Sequence, residues 1–350
     1  MTDALPVVDG HNDALLALWR GEATPGEFLD GRDNGHLDLP RANASGLAAG
    51  FFALFVPSEP RFAPDAGGNR TETADGYRIE CPPPLAWPYA KRATDEMLSL
   101  LGELAADDRV ILVRTAEDFR ACVEGESFGV VVHFEGAEAI HPSMSNFGAY
   151  YDAGLRSLGL AWSRPNAFAD GVPFRYPSSP DIGDGLTGAG RRLVRRCNDR
   201  GVLVDCAHLP EQGFWDVHDV STAPLVVSHT AAHEVCPLSR NLTDEQLDAV
   251  ADTDGVVGLT FSAGALRPED GRDADSLGLV VEHVDHLVDR MGVDHVALGS
   301  DFDGATVLDV IGDVTGVPGI LGALRAAGYS ESDVRKIASE NWLRVCDATW

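Results

Sequence analysis

Eight short apolar runs recur along this chain, and stretches with helical periodicity separate most of them. Short apolar runs that alternate with helices predict parallel strands joined by right-handed crossovers. Eight such units predict a (β/α)8 TIM barrel, and a chain of 350 residues is long enough to form one. The runs cover residues 5–8, 51–56, 129–134, 155–161, 202–206, 224–228, 256–261 and 295–299.

The segments between the runs predict six helices and one insertion. A stretch at about 57–92 is rich in Pro and Gly, so we expect a loop or lid there. The chain contains no domain-sized linker, which favours a single domain over residues 1–350. The helical patterns cover 94–106, 189–200, 243–251, 277–291, 319–327 and 331–346.

Most of the runs end in a residue that can bind a metal ion or a substrate. In a (β/α)8 barrel the carboxyl ends of the strands carry the active site, so these residues are expected to meet there. His11 and Asp13 are two residues apart, and in an extended segment they project from the same side. The full set is His11, Asp13, Glu135, Trp162, His208, His229 and Asp301.

Three imidazoles and two carboxylates in this set exceed what one tetrahedral zinc ion uses, so we expect two metal ions bridged by Glu135. Two such ions lower the pKa of a shared water and polarise a carbonyl or phosphoryl oxygen. Asp301 is then placed to take the proton of the water and pass it to a leaving group. A single histidine of this kind is often only a buried structural residue, and it is the joint pattern that favours a metal site. The two pairs that would hold the separate ions are His11 with Asp13 and His208 with His229.

Composition excludes several classes of function. The net charge of −28 argues against a nucleic-acid partner, because phosphate binding needs a basic face. The six cysteines contain no C-x-x-C pair, which argues against a disulfide framework or a thiolate zinc site. An acidic surface with only two lysines, Lys91 and Lys336, suits a high-salt cytoplasm, so we hypothesise a halophilic source.

The sequence also predicts a soluble, cytoplasmic protein without a membrane partner. The N-terminus lacks a charged-then-apolar signal segment, and the apolar runs are much shorter than the roughly 20 residues that a membrane span needs.

Several of these motifs together resemble the renal (membrane) dipeptidase family of zinc peptidases, in the same order and from about residue 5 to 346. The resemblance implies a dinuclear zinc barrel that cleaves dipeptides whose C-terminal residue is D or L, and it favours a homodimer. It implies that the five expected ligands bind zinc and that Asp301 handles the proton of the water. It also implies that Arg240 meets the substrate carboxylate, as a guanidinium can do bidentately, with Asn241 and Trp162 as further candidate substrate-binding residues. The motifs are 8–13, Glu135-Gly136, Ala207-His208, Ser228-His229, Ser239-Arg240-Asn241 and 299–304.

The chain departs from the family pattern at two positions. After the fourth run the mammalian enzymes carry a histidine that helps to polarise the substrate carbonyl, and here Trp162 follows that run. An indole donates one hydrogen bond but cannot become a cation. After the seventh run the mammalian pattern includes a tyrosine, whereas here Phe261 is followed by Ser262. Both changes affect the expected substrate preference and leave the ligand set intact.

Two alternatives to a zinc dipeptidase remain open at this stage. One is another barrel amidohydrolase, such as an N-acyl amino acid deacylase or a lactonase. Many of those enzymes bridge their metals with a carbamylated lysine, and both lysines here lie in helical stretches, so a Glu bridge fits better. The other is a relative that binds metal but has lost turnover, which the tryptophan at position 162 keeps in play.

Overall fold

The computed structural model describes residues 5–59, 70–125, 127–267 and 276–350. Eight parallel strands form a ring in chain order, as the eight apolar runs predict. We label them β1 to β8, with the bounds Val7–Asn12, Leu47–Phe55, Phe128–Glu135, Leu155–Gly159, Leu203–Asp205, Val226–Thr230, Val256–Leu259 and Val296–Leu298.

The ring closes just beyond the end of β8. Asn12 and Phe302 form an isolated parallel bridge. The backbone N–H of Asp301 donates to the carbonyl oxygen of His11 at 3.0 Å, and that of Asp13 donates to Phe302 at 2.8 Å. The first strand is therefore bonded to the segment that carries Asp301. The strands form a nearly closed parallel ring with helices outside it, which is the TIM-barrel arrangement that the sequence predicts.

Side chains of the helix Asn341–Thr349 pack against the inside of the ring. A buried cluster joins residues from seven of the eight strands, which can touch one another only across the inside of the barrel. Trp342 belongs to this cluster, and its indole N–H donates to the carbonyl oxygen of Leu298 at 3.0 Å. A Cβ atom at Gly10 would overlap the Trp342 ring, so the glycine before His11 allows this close approach.

Helices surround the ring, and several begin with side-chain caps. Thr24, Thr115, Thr243 and Ser330 form capping boxes with the residue three positions later. The α-helices span Ala14–Trp19, Pro25–Asp30, Leu39–Ser45, Trp87–Leu104, Ala116–Glu124, Phe147–Ala153, Gly188–Arg200, Glu211–Val220, Asp244–Asp252, Ala263–Leu266, Leu277–Met291, Val317–Ala327, Glu331–Arg335 and Asn341–Thr349. No helix within the described ranges is both long and apolar enough to pass through a bilayer.

Two of the predicted helices differ in extent from the structure. The helix predicted from residue 94 begins at Trp87, with Pro88 in its first turn, where the missing N–H of proline leaves no helical bond unmade. The helix predicted over 331–346 is divided by a π-helical turn at Lys336–Glu340. The π turn comes just before Trp342, which packs in the buried cluster inside the ring.

Seven of the α-helices were not predicted from the sequence, and neither were two β-structures outside the ring. Val110–Leu112 forms an additional strand that pairs in parallel with β3 and is not one of the eight strands of the ring. A second, antiparallel sheet joins Arg70–Glu72, Tyr77–Ile79 and Phe174–Tyr176. The first two of these strands lie within the predicted insertion at about 57–92, of which residues 60–69 lie outside the described residues.

Candidate metal centre and substrate pocket

The carboxyl ends of the strands bring the predicted site residues together. His11 lies within β1, Asp13 follows it, and Glu135 ends β3. His208 follows β5, and His229 lies within β6. These five side chains are buried, with exposed fractions of at most 7%.

Glu135 lies between the two predicted ligand pairs. Its Oε2 is 3.7 Å from Nε2 of His11, and His11 Nε2 is 3.3 Å from Oδ2 of Asp13. Its Oε1 is 3.1 Å from Nε2 of His208 and 3.8 Å from Nε2 of His229. The two carboxylate oxygens therefore face separate pairs, as a bridging residue requires.

The polar atoms of this cluster lack the partners that burial normally demands. Within the described residues, Nε2 of His11 and Oδ1 of Asp13 are buried and make no hydrogen bond. Nε2 of His208 and Nε2 of His229 lie 3.0 Å apart. Buried polar groups are usually satisfied, and two imidazole nitrogens at this distance suit two ligands of one cation. Ligand atoms of His11, Glu135 and His229 all lie within 4.8 Å of one another.

The electrostatics of the cluster also favour bound cations. Burial, with repulsion from Asp13 and Asp301, raises the pKa of Glu135 well above its ordinary value. Burial, with repulsion from Asp303, raises the pKa of Asp13 to about 8. Burial lowers the pKa of His208 and of His229 well below the ordinary value, so both imidazoles are held neutral. Crowded carboxyls beside neutral imidazoles form a donor set that a divalent cation satisfies.

Asp301 lies beside the first of the two predicted ligand pairs, His11 and Asp13. Its ligand atom lies within 4.8 Å of those of His11 and Asp13. Burial, with repulsion from Asp13, raises the pKa of Asp301 to about 7. Both Asp301 and His208 have left-handed backbone conformations, with φ of 63° and 64°. Non-glycine residues rarely adopt this region, and such strain is concentrated at functional sites.

Asp9 fixes the segment that carries Asp301. Oδ1 of Asp9 accepts from the backbone N–H of Ser300 at 2.7 Å, and Oδ2 accepts from the Ser300 hydroxyl at 2.9 Å. The same carboxyl accepts from the amide of Asn12 at 3.2 Å. An aspartate directly after the first apolar run was the available sign of this role, because such a group must be satisfied by hydrogen bonds when it is buried.

Serine hydroxyls lie against the distal nitrogens of both His208 and His229. Ser163 Oγ is 2.9 Å from Nδ1 of His208, and Ser228 Oγ is 2.9 Å from Nδ1 of His229. Ser228 in turn donates to Asp205 at 2.5 Å. The sequence prediction did not identify these three residues as supports of the histidines, although Asp205 is a charged residue within the apolar run 202–206. Groups of this kind orient metal-binding histidines.

His133 lies next to the cluster, between His11 and Asp205. Its Nδ1 lies 2.9 Å from Ser157 Oγ, and its Nε2 lies 3.5 Å from Oδ2 of Asp205. Its ring meets the ring of His11 edge-on, with 5.3 Å between centroids. Burial lowers the pKa of His133 to about 3, so this imidazole is neutral.

A cavity of about 240 Å³ opens onto the cluster and contains two of the three predicted substrate-binding residues. Arg240 is buried, and it donates from Nε to Nδ1 of His208 at 3.1 Å and from Nη2 to the carbonyl oxygen of His229 at 2.8 Å. Trp162 packs against Phe55, with 5.0 Å between ring centroids. The other lining residues include Leu16, Tyr77, Phe174, Leu238, Thr260 and Ser262.

Asn241 does not lie among the described residues that line this cavity. Its side-chain amide is buried and donates to the carbonyl oxygens of Cys236 and Ala265, each at 2.9 Å. This position ties the loop that carries Arg240 to the helix Ala263–Leu266. The structure therefore gives Asn241 a role in holding the pocket wall, in place of the predicted contact with substrate.

Both lysines lie outside the site. Lys91 is half-exposed and pairs with Asp95, and Lys336 pairs with Asp294. Neither lies among the described residues of the cluster or the cavity, so a carbamylated lysine does not bridge this centre.

A nearly closed ring of parallel strands with imidazoles and carboxylates gathered at its carboxyl end defines a metal-dependent hydrolase of the barrel type. Comparison with known proteins narrows this class. The chain belongs to the membrane dipeptidase family, peptidase family M19, whose family model matches residues 1–349. It is therefore a metal-dependent dipeptidase of that family, as the motifs of its sequence predict.

Two solved structures agree with this assignment, and one curated sequence is similar over most of the chain. A metallopeptidase from Rhodobacter sphaeroides, liganded with a phosphinate mimic of the dipeptide L-Ala-D-Ala, is 44% identical with a TM-score of 0.92, covering 99% of this chain and 100% of that one. A family M19 metallopeptidase called dipeptidase AC is 44% identical with a TM-score of 0.91, and 99% of each chain is covered. An uncharacterised Klebsiella pneumoniae protein is 43% identical over 258 residues, which are 73% of this chain and 95% of that protein.

Proposed function

We propose that this protein hydrolyses free dipeptides of the form L-Xaa-L-Xaa or L-Xaa-D-Xaa with the help of two zinc ions. The observation that carries the proposal is the position of Glu135, whose two oxygens face different ligand pairs at 3.1–3.8 Å. His11 and Asp13 would hold one ion, and His208 and His229 the other. When bound, two such ions lower the pKa of a water between them and polarise the peptide carbonyl.

Asp301 is the residue proposed to move the proton. It lies beside His11 and Asp13 and is bonded through its backbone to β1, which fixes its carboxyl at the rim of the cluster. Burial raises its pKa to about 7, and a cation held by its neighbours would lower this value. The ionised carboxylate that results can accept a proton from water and return it to the leaving amine.

Arg240 is proposed to bind the C-terminal carboxylate of the dipeptide. A neutral imidazole carries one proton, so His208 can bind a cation through Nε2 only if its proton is on Nδ1. That Nδ1–H would donate to the Ser163 hydroxyl at 2.9 Å and could no longer accept from Arg240 Nε. Loading of the site would therefore release Nε of Arg240 toward the cavity, where a carboxylate can accept from it.

The size of the cavity supports a short substrate. Its volume of about 240 Å³ lies below the ~300–1,000 Å³ usual for sites that take drug-sized ligands. A dipeptide presents both a free amine and a free carboxylate within a short span. The phosphinate mimic of L-Ala-D-Ala bound by the Rhodobacter sphaeroides relative supports a D residue at the C-terminal position.

The test is a panel of L,L- and L,D-dipeptides, with N-acyl amino acids and lactones, each with zinc and with a chelator. We expect dipeptide hydrolysis that the chelator abolishes and two zinc equivalents by elemental analysis. Activity on N-acyl compounds or lactones alone would contradict the proposed substrate class. Metal uptake without turnover of any compound would identify a binding protein.

The bridge itself is tested by Glu135→Ala, with Glu103→Ala as its matched control. Glu103 is exposed on the helix Trp87–Leu104, far along the chain from any proposed ligand. Glu135→Ala should lose both ions or nearly so, and Glu103→Ala should keep two. Retention of two equivalents in Glu135→Ala would contradict the bridge.

A further inference from the structure

We infer that Asp205 and Ser228 form a hydrogen-bond relay that holds the proton of His229 on Nδ1 and leaves Nε2 free for a cation. The inference rests on the proposed metal centre, but neither residue is a proposed ligand. Ser228 Oγ donates to Asp205 Oδ2 at 2.5 Å and lies 2.9 Å from Nδ1 of His229. All three side chains are buried, with exposed fractions of 1–3%.

The direction of the relay follows from counting protons. A carboxylate only accepts, so the single proton of the Ser228 hydroxyl is committed to Asp205. The hydroxyl oxygen must then accept from His229, which places the imidazole proton on Nδ1. Because the neutral ring has one proton, Nε2 keeps its lone pair, and this atom faces Glu135 and His208.

The orientation of the Asp205 carboxyl is itself fixed by the backbone. Its Oδ1 accepts from the N–H of Ser228 at 2.8 Å and from the N–H of Ala207 at 3.0 Å. Asp205 ends β5 and Ser228 lies in the neighbouring β6, so these bonds join two adjacent strands. Only Oδ2 is left to meet the hydroxyl.

This fixed orientation makes the substitution Asp205→Asn unusually informative. The amide oxygen must take the place of Oδ1, because two backbone N–H groups donate there. The amide nitrogen then takes the place of Oδ2 and donates to the Ser228 oxygen. The hydroxyl proton turns to His229 Nδ1, which must accept, and the imidazole proton moves to Nε2, where it blocks the cation.

The experiment measures cation affinity in Asp205→Asn, Ser228→Ala and the double variant. Co²⁺ is titrated into the metal-free proteins and followed by absorbance and by chelator competition. Asp205→Asn should weaken one of the two cation sites by about 10- to 100-fold, the usual cost of altering such a partner. Ser228→Ala should weaken it less, because an unpartnered imidazole can still adopt the Nδ1–H form. The double variant should have the same affinity as Ser228→Ala. Without the Ser228 hydroxyl, the amide of Asp205→Asn has no group through which it can move the imidazole proton of His229 to Nε2.

A merely structural role for Asp205 predicts the opposite order, with the double variant at least as weak as Asp205→Asn. That result, or an unchanged affinity in Asp205→Asn, would overturn the relay. Ser45→Ala is the matched control, because this buried hydroxyl lies in the helix Leu39–Ser45 and donates to the carbonyl oxygen of Ala42 at 3.0 Å. It should keep both affinities.

A second measurement needs no substitution. In the metal-free wild type labelled with ¹⁵N histidine, His229 should give the nitrogen shifts of the Nδ1–H form, and shifts of the Nε2–H form would overturn the relay. A wild type that binds fewer than two cations would contradict the proposed dinuclear centre. Two cations in the wild type with no loss in Asp205→Asn would contradict the relay alone.

Discussion

Nε of Arg240 donates to Nδ1 of His208 across 3.1 Å, so the proposed substrate-binding cation is bonded to a proposed metal ligand. Burial lowers the pKa of Arg240 to about 10, which still leaves the guanidinium charged at neutral pH. A buried charge with this placement is well suited to pair with a carboxylate that enters the cavity.

Arg240→Ala should raise KM for free dipeptides by about 10- to 100-fold, because a hydrogen bond to a charged group contributes about 1.5–3 kcal/mol. The KM for the corresponding C-terminal amides should change by much less, since they carry no carboxylate. Steady-state kinetics on matched acid and amide pairs checks this. Equal losses on both substrates would indicate that Arg240 acts on the metal centre through His208 instead.

Gly304→Ala should disrupt the metal centre. A Cβ atom at this position would overlap Oδ2 of Asp13 and lie 2.5 Å from Oδ1 of Asp301. One carboxyl must then leave its place, so we expect less than two metal equivalents and a large loss of activity. Gly322→Ala is the control, because a Cβ there meets nothing within 4 Å. Full metal content and activity in Gly304→Ala would contradict the predicted steric overlap with the carboxyls of Asp13 and Asp301.

Trp162→Phe should keep kcat within about tenfold of the wild type, because the ring packs against Phe55 and the indole N–H is worth at most one neutral hydrogen bond. Trp162→Ala should lower the free energy of unfolding by about 3–5 kcal/mol, as for other buried aromatic truncations. Urea unfolding and steady-state kinetics measure the two effects. A hundredfold fall of kcat in Trp162→Phe would mean that the N–H acts on the substrate carbonyl.

His283 should make stability depend on pH. Its Nδ1 accepts from the N–H of Ala232 at 3.1 Å and its Nε2 donates to Leu266, while burial lowers its pKa to about 4. Between about pH 6.5 and 4, His283 binds a proton in the unfolded chain but not in the folded protein. The free energy of unfolding is therefore unaffected by the titration of His283 above pH 6.5 and decreases as the pH falls below that value.

His283→Gln removes that titration. The difference in unfolding free energy between the wild type and this variant should shrink by roughly 3 kcal/mol from pH 7 to pH 4. Urea unfolding of both proteins across this range measures it, and the comparison cancels the titration of groups that the two share. A difference that stays constant with pH would contradict a neutral, buried His283.

Salt should stabilise this protein. A net charge of −28 repels itself, and the screening length falls from about 10 Å at 0.1 M salt to about 3 Å at 1 M. We therefore expect the thermal midpoint to rise steadily with KCl up to molar concentrations. Complete folding in salt-free buffer, with no gain in molar salt, would rule out the halophilic hypothesis.

The ring was predictable because each barrel strand is a local apolar run, and all eight runs overlap the strands of the structure. The antiparallel sheet was not, because its strands have three residues each and Arg70 and Glu72 are exposed. It depends on pairing between Tyr77–Ile79 and Phe174–Tyr176, almost a hundred residues apart. No local pattern contains that information.

The candidate site was predictable where its residues sit at the ends of runs. Glu135 was predicted as a bridge from its position in the chain, and its ligand role stays a prediction that metal analysis must test. The relay of Asp205 and Ser228 was not predictable, because it requires two strands in register. Asn241 was predicted from its place beside Arg240, but adjacent residues in a loop point in different directions.

The barrel closes between Asn12 and Phe302, near opposite ends of the sequence, and the site draws on both sides of that seam. A ribosome that has released only the first seven strands has therefore made all five proposed ligands, without Asp301 or the Ser300 that is bonded to Asp9. Hydrolytic competence should therefore appear only after the eighth strand and the segment that carries Asp301 have been made, so shorter nascent chains would be harmless to the peptides around them.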